Sequence, residues 1–387
     1  MARLSHNNGM NRKSRPWRIR IGLLALLMAW ILVVDGSAQP APRSQPKTDP
    51  VLGERIAEGV VVDGRLWLRG TLGKNSLGDR SGGLVSFGTA DQSRRVHFEK
   101  GVIALVKDDD DLWVLRQSPS NKRAFIVSVW RSGGFEDVGD FKSSGRDVPL
   151  ALLSNSGAVT VLTEEAIRVF SPGRGWNSVP LKGKLRLGVQ TAIASPTVGG
   201  SAFVGINRGE WGGGLQSVDL RTGDITNIER RDGKGLCEGP LNSDCDPVTG
   251  VIADPQKKEC VLASVGLVHL FTSEGRILRV CGEKVTVISE KAVSNQNGDT
   301  RKMTEAFFGL APAADGGYWA ITWRALYRFD ADGNQKGDYP LPKLQPVAGI
   351  YLSRELPGAV VVRTDVNWSV STSGYTPVVI PLESSRP

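Results

Sequence analysis

From residue 51 onward the chain alternates short apolar phrases with turn residues, and no long amphipathic stretch at helical spacing follows. One five-residue phrase returns seven times: Gly83–Phe87 (GLVSF), Phe125–Val129 (FIVSV), Ala166–Phe170 (AIRVF), Gly214–Val218 (GLQSV), Gly266–Leu270 (GLVHL), Ala325–Phe329 (ALYRF) and Val366–Val370 (VNWSV). Their last residues fall 42, 41, 48, 52, 59 and 41 apart. Short strands recurring at that interval predict an all-β chain, a seven-bladed β-propeller of four-stranded antiparallel blades.

Each unit reads as strands A to D, from the inside outward. Strand B precedes the repeated phrase and centres on an apolar or aromatic residue, as in Gly64-Arg-Leu-Trp67, Asp111-Leu-Trp113 and Gly317-Tyr-Trp319. Strand C is the phrase itself. A turn and strand D follow, with turns expected at Arg221-Thr-Gly223, Ser273-Glu-Gly275 and Asp330-Ala-Asp-Gly333, where glycine accepts a positive φ. One such sheet mixes apolar residues on both faces and cannot bury them alone. Stacking the sheets around a ring does so and leaves no long open edge. Trp67, Trp113 and Trp319 are therefore assigned to the core between blades.

Two stretches carry a family resemblance. Gly316–Asp330 (GGYWAITWRALYRFD) resembles the repeat of two-component-regulator-type propellers, and Gly214–Ile225 (GLQSVDLRTGDI) is similar to repeats of quinoprotein and YVTN propellers. The resemblance implies the fold and carries no catalytic residue with it. In quinoprotein enzymes the docking phrase ends in tryptophan, whereas Asn227 stands at that place here, so no quinone and no other cofactor is expected.

The first 38 residues are set apart from the fold. Arg12, Lys13, Arg15, Arg18 and Arg20 precede the unbroken apolar run Ile21–Val34, and Gly36, Ser37 and Ala38 supply small residues for cleavage. The pattern predicts a signal peptide over 1–38, with retention as a signal anchor the alternative. A Pro-rich linker over 39–50 and a propeller over 51–387 complete the expected domains. The whole chain carries 48 basic and 40 acidic side chains. Without the leader, 42 and 39 remain, a net of +3 that offers no field for a polyanion, so nucleic acid is not an expected partner. Export to the periplasm or beyond makes disulfides the expected state of Cys237, Cys245, Cys260 and Cys281. Short loop closure favours Cys237–Cys245 and Cys260–Cys281, and no metal is expected on them because C-x₂-C spacing is missing.

Because adjacent strands run in opposite directions, A–B and C–D turns leave one rim while B–C loops and D–A connections leave the other. The long segments all belong to the second rim: Arg69–Gly82, Asn207–Gly213, Glu229–Pro247 and Ser289–Glu305. Decoration of one rim marks it as a recognition face. Arg69, Arg116, Arg208, Arg324 and Arg363 cluster near the ends of strand B, and an inward turn would let them crown the channel for a carboxylate, phosphate or sulfated sugar. Asn207, Glu210, Trp211 and Trp323 lie beside them and complete the candidate ligand-binding set.

Hydrolase signatures are missing: Gly78-Asp-Arg-Ser-Gly-Gly83 has an inserted Arg80, and His269, read inside a strand, is assigned to the core. Asp330–Asn334 reads as a hairpin turn, since a calcium loop needs glutamate where Leu341 stands. The expected function is an exported binding module for a protein segment or an anionic glycan, monomeric and non-enzymatic. A channel-mouth lyase or lactonase using Asn207, Glu210 and Asp365 is one alternative, and a scaffold subunit of an envelope complex is another.

Overall fold

The structure, a computed structural model, describes residues 49–53, 55–71, 81–144, 147–155, 158–186, 192–194, 196–232, 237–269, 272–293, 303–364 and 377–382. The predicted signal peptide, nearly all of the linker, the phrase Val366–Val370 and Asp365 lie outside these residues. The described chain is an all-β propeller of antiparallel sheets, as its alternating pattern demands.

The first sheet holds seven strands in sequence order: β1 Arg55–Val62, β2 Arg65–Thr71, β3 Gly82–Gly88, β4 Arg94–Asp108, β5 Asp111–Gln117, β6 Ala124–Arg131 and β7 Gly134–Lys142. The second is β8 Pro149–Asn155, β9 Ala158–Thr163, β10 Ala166–Ser171 and β11 Gly175–Pro180. The third is β12 Ala192–Ala194, β13 Ser201–Asn207, β14 Gly213–Asp219 and β15 Ile225–Ile228. The fourth is β16 Val248–Ala253, β17 Cys260–His269, β18 Thr272–Cys281 and β19 Lys284–Ser289. A small ribbon, β20 Ala292–Val293 with β21 Met303–Thr304, leads to the fifth sheet: β22 Phe307–Pro312, β23 Tyr318–Thr322, β24 Ala325–Phe329 and β25 Gln335–Pro340. The sixth is β26 Gln345–Val347, β27 Ile350–Ser353, β28 Ala359–Arg363 and β29 Val378–Pro381.

Three expectations are corrected. Five four-stranded sheets stand free, not the seven anticipated. The first two repeat units form one continuous sheet because β4 runs unbroken for 15 residues. Its first half pairs with β3 and its second with β5, with Gly101 at φ 88° between them. The phrase Gly266–Leu270 is not strand C of its unit: through His269 it continues β17, whose register to β18 runs unbroken from Cys260↔Cys281 to His269↔Thr272. Ser273, Glu274 and Gly275 accordingly lie within β18 rather than in a turn. The last sheet also reverses the inside-out order, since β29 packs between the innermost strands β22 and β1.

One device recurs on the inner strands. β1, β4, β8, β16 and β22 each skip one residue against strand B, at Ala57, Ile103, Leu150, Thr249 and Phe308. Such a bulge sharpens the local twist and re-aims the extra side chain. Ile103, Leu150 and Phe308 reach into the apolar cluster shared with the following sheet. Thr249 Oγ1 donates to the Phe307 carbonyl of the next sheet at 2.6 Å.

The apolar core is divided into seven clusters lying between successive repeat units. Trp67, Trp113 and Trp319 are buried in three of them, as expected of large inward residues of strand B. One cluster joins the first and last described repeat units: Leu52, Ile56, Leu66 and Phe87 meet Ile350, Val360, Val362 and Ile380. Each side chain fully buried there contributes about 1.5–3 kcal/mol. Arg354 adds a polar seam, donating to the carbonyls of Thr89 and Gly88 across the same junction.

Candidate functional site

The loop between β13 and β14 is built by short-range capping. Asn207 Oδ1 accepts the Gly209 N–H at 2.9 Å, and the Arg208 and Gly212 backbones close a 3-10 turn over Gly209–Trp211. This turn lifts Trp211 into solvent at 70% exposure. Gly212 sits at φ 76°, and a Cβ there would meet the Asp244 carbonyl carbon at 2.4 Å, so glycine is what lets the loop lie flat on its neighbour. Gly213 and Gly214 donate to the carbonyls of Ser243 and Asp246, both at 2.9 Å.

That neighbour is the connection from β15 to β16, closed by the Cys237–Cys245 disulfide. The second disulfide, Cys260–Cys281, staples directly opposed residues of β17 and β18. Both expected pairings are therefore present, and a chain with all four cysteines paired belongs outside the reducing cytoplasm. Charges knit the closed loop together: Arg231 reaches Glu229 at 3.1 Å and Asp244 at 3.0 Å, and Arg186 reaches Glu229 at 3.4 Å. Buried Asp246 accepts from Arg276 Nη2 at 2.5 Å and from the Asn242 N–H at 2.7 Å. Burial raises the Asp246 carboxyl above its ordinary range, opposed by the positive charge of Arg276.

His269 is a further correction. It ends β17 in an exposed position, and its Nδ1 lies 2.8 Å from Glu210 Oε2, so it serves the loop rather than the core. The extended β17–β18 hairpin thus braces the Trp211 loop from a second side.

Trp323 and Arg324 occupy the tight turn between β23 and β24. Thr322 Oγ1 accepts from the N–H groups of Arg324 and Ala325 and donates to the Ala325 carbonyl, all within 3.1–3.2 Å. Above this knot Trp323 is 38% exposed, and the Arg324 guanidinium lies 4.7 Å over its ring.

The remaining arginines diverge. Arg69 is buried and donates to Glu58 Oε2 at 2.9 Å, while that same oxygen accepts the Leu105 N–H. Arg116 runs outward along its sheet, to Ser128 at 3.2 Å and Asp137 at 2.5 Å, with its guanidinium 5.3 Å from the centre of the Phe98 ring. Arg363 ends β28 and is buried. The common inward turn expected of the five is thus not shared, because Arg116 has acidic and hydroxyl partners on the outer strands.

Sequence reasoning missed a set of buried acids two residues ahead of the bulged inner strands. Asp147 contacts Arg168 at 2.8 Å, Asp246 contacts Arg276, and Glu305 accepts from the Tyr327 hydroxyl at 2.5 Å. The signal was present as acid, any residue, apolar residue, any residue, small residue: Asp147-Val-Pro-Leu-Ala151, Asp246-Pro-Val-Thr-Gly250 and Glu305-Ala-Phe-Phe-Gly309. Among the described residues no group of three or more His, Cys, Asp or Glu side chains is placed to hold a metal ion. No helix among them is long and apolar enough to cross a membrane.

No protein-family model and no curated protein matches the chain. Solved propellers do. A GH74 xyloglucanase from Xanthomonas campestris aligns at TM-score 0.50 and 15% identity, over 81% of this chain and 51% of that one. The extracellular domain of a putative one-component system from B. thetaiotaomicron aligns at TM-score 0.46 and 14% identity, over 86% of this chain, which spans 39% of that one. YCF48 bound to D1 peptide aligns at TM-score 0.48 and 12% identity, over 89% of this chain and 98% of that one. At these identities the likeness shows the fold alone.

Proposed function

We propose that this protein is a non-catalytic binding module that holds a protein segment or an anionic glycan on its rim of B–C loops and D–A connections. In this reading residues 1–38 are a cleaved signal peptide, 39–50 a tether and 51–387 the propeller, which works as a monomer in the periplasm or outside the cell. The observation that carries it is the placement of the two exposed tryptophans. Among the described Trp, Tyr and Phe side chains only Trp211 and Trp323 are exposed, and both stand on loops between strands B and C. Each is held by hydrogen bonds beneath it, so little ordering entropy is lost when a ligand docks. Asn207, Arg208, Glu210 and Arg324 flank them in sequence, while Arg69, Arg116 and Arg363 diverge and are left out of this reading.

The test is a pull-down and a glycan array with the purified protein and its Trp211→Ala and Trp323→Ala variants. Loss of captured partners in either variant, with an unchanged melting temperature, supports the rim. Equal capture by wild type and both variants overturns it.

A further inference from the structure

The Trp211 loop narrows the ligand chemistry. Its ring is exposed, and no ring contact to another aromatic group engages it among the described residues. No other exposed large apolar side chain lies on this loop, so an apolar peptide would find no groove. The charges beside it are unequal in their commitments. Glu210 is engaged by His269 at 2.8 Å. Arg208 is exposed, and its guanidinium makes no hydrogen bond or ion pair among the described residues. An exposed indole and an uncommitted guanidinium carried by one short turn match a ring with a C–H face and a carboxylate. A neutral sugar would leave the cation unused, and a polyphosphate would ask for several cations.

We infer that Trp211 and Arg208 form a subsite for a uronate, a pyranose carrying a carboxylate, stacked on the indole with its acid on the guanidinium. The inference rests on the binding-rim reading and specifies its ligand. The platform is organised before binding. Gly213 and Gly214 hang from Ser243 and Asp246, and the Cys237–Cys245 disulfide closes the segment that presents those carbonyls.

Isothermal titration with full-length protein separates the outcomes. The probes are oligomers of galacturonate, glucuronate and mannuronate, the methyl ester of each, and an acidic peptide of equal charge. The expected result is binding of at least one uronate oligomer, weakened tenfold or more by Trp211→Ala and by Arg208→Ala. Arg208→Lys should restore part of the loss, and the methyl ester should bind about tenfold more weakly than its acid. Circular dichroism and melting temperature should be unchanged in all variants. Equal binding of ester and acid overturns the inference. So does binding of the acidic peptide alone through Trp211, although that outcome leaves the rim reading standing. Failure of every probe overturns the uronate subsite, and the pull-down above decides the rim separately.

Discussion

Two turns of this molecule share one backbone and carry opposite chemistry. Thr163-Glu-Glu-Ala166 joins β9 to β10, and Thr322-Trp-Arg-Ala325 joins β23 to β24. In both, the buried threonine accepts from the two N–H groups ahead and donates to the alanine carbonyl. In both, the third residue's carbonyl accepts from a leucine after strand D, Leu181 or Leu341. A buried acid ahead of the inner strand reaches the second residue beyond each alanine, Asp147 to Arg168 and Glu305 to Tyr327. The scaffold of threonine, alanine and acid is therefore indifferent to the two residues displayed on top. One turn carries two glutamates, Glu165 exposed and Glu164 partly buried, the other an indole capped by a guanidinium. If this rim recognises a ligand, the difference between the two turns lies in what fills two positions, not in how the chain turns.

The largest effect should come from the acids beneath the turns. Asp147→Ala removes both the acceptor for the Glu165 N–H and the charge facing Arg168, which is only 21% exposed. A charge left without its partner there costs about 3 kcal/mol. Glu305→Ala strands a neutral phenol instead and should cost about 2 kcal/mol. Chemical denaturation of both variants checks the order. A larger loss at Glu305 would mean that the two units are not built alike.

Acid supplies a control that touches neither turn. His97 packs against Trp67, Trp130 and Phe135, accepts or donates at Ser86 Oγ, and is pushed down to about 4 by burial and by Arg65 and Arg95. Because the folded value lies below the unfolded one near 6.5, the unfolded chain binds the proton first as pH falls. Stability present above pH 6.5 is then lost progressively down to about pH 4, by about 3 kcal/mol. His97→Phe should flatten that slope in melts recorded from pH 7 to pH 4, while the turn variants should keep it.

The threonines themselves come next. Thr163→Val and Thr322→Val keep the volume and lose the hydroxyl, leaving two N–H groups and a carbonyl to find other partners. Each should cost about 1.5 kcal/mol, and the two costs should agree to within about 0.5 kcal/mol. A clear inequality would show that the displayed residues contribute to the turn after all.

How much of this was readable in the chain depends on the range of the interaction. Strand C was legible in five phrases, Gly83–Phe87, Phe125–Val129, Ala166–Phe170, Gly214–Val218 and Ala325–Phe329, because alternation is a local property. Gly266 and Gly275 misled the reading, the first as the start of a strand C and the second as a turn residue. They are cross-strand partners, and a Cβ on either would lie about 2 Å from the Phe307 or Glu305 carbonyl oxygen, so each glycine answers a close approach by the next sheet. The reversed last sheet had no signature, as alternation reads the same from inside out or outside in. In the proposed site, Asn207, Arg208, Glu210 and Trp211 could be grouped from the chain because one short loop carries them all. His269 was not, because it comes from a hairpin more than fifty residues away and meets Glu210 only in three dimensions.

Exchanging the two displayed pairs should have the smallest effect on stability and the sharpest on recognition. Replacing Trp323 and Arg324 by two glutamates deletes one half-exposed ring and its stacked cation, but leaves Thr322, Ala325 and Glu305 untouched. Exposed positions of this kind change stability by about 0.5 kcal/mol, and the cation–π contact adds about as much again. The melting temperature should therefore fall by no more than a few degrees. Partner capture through Trp323 should vanish. The reverse exchange, Glu164→Trp with Glu165→Arg, gives up the Ser144 contact of Glu165 at 2.9 Å together with the contact Glu164 makes, and should also fold. Two folded proteins that differ in capture would establish the pair as the recognising element. If the first exchange unfolds the protein instead, the indole and guanidinium belong to the architecture, and the parallel between the two turns fails at its premise.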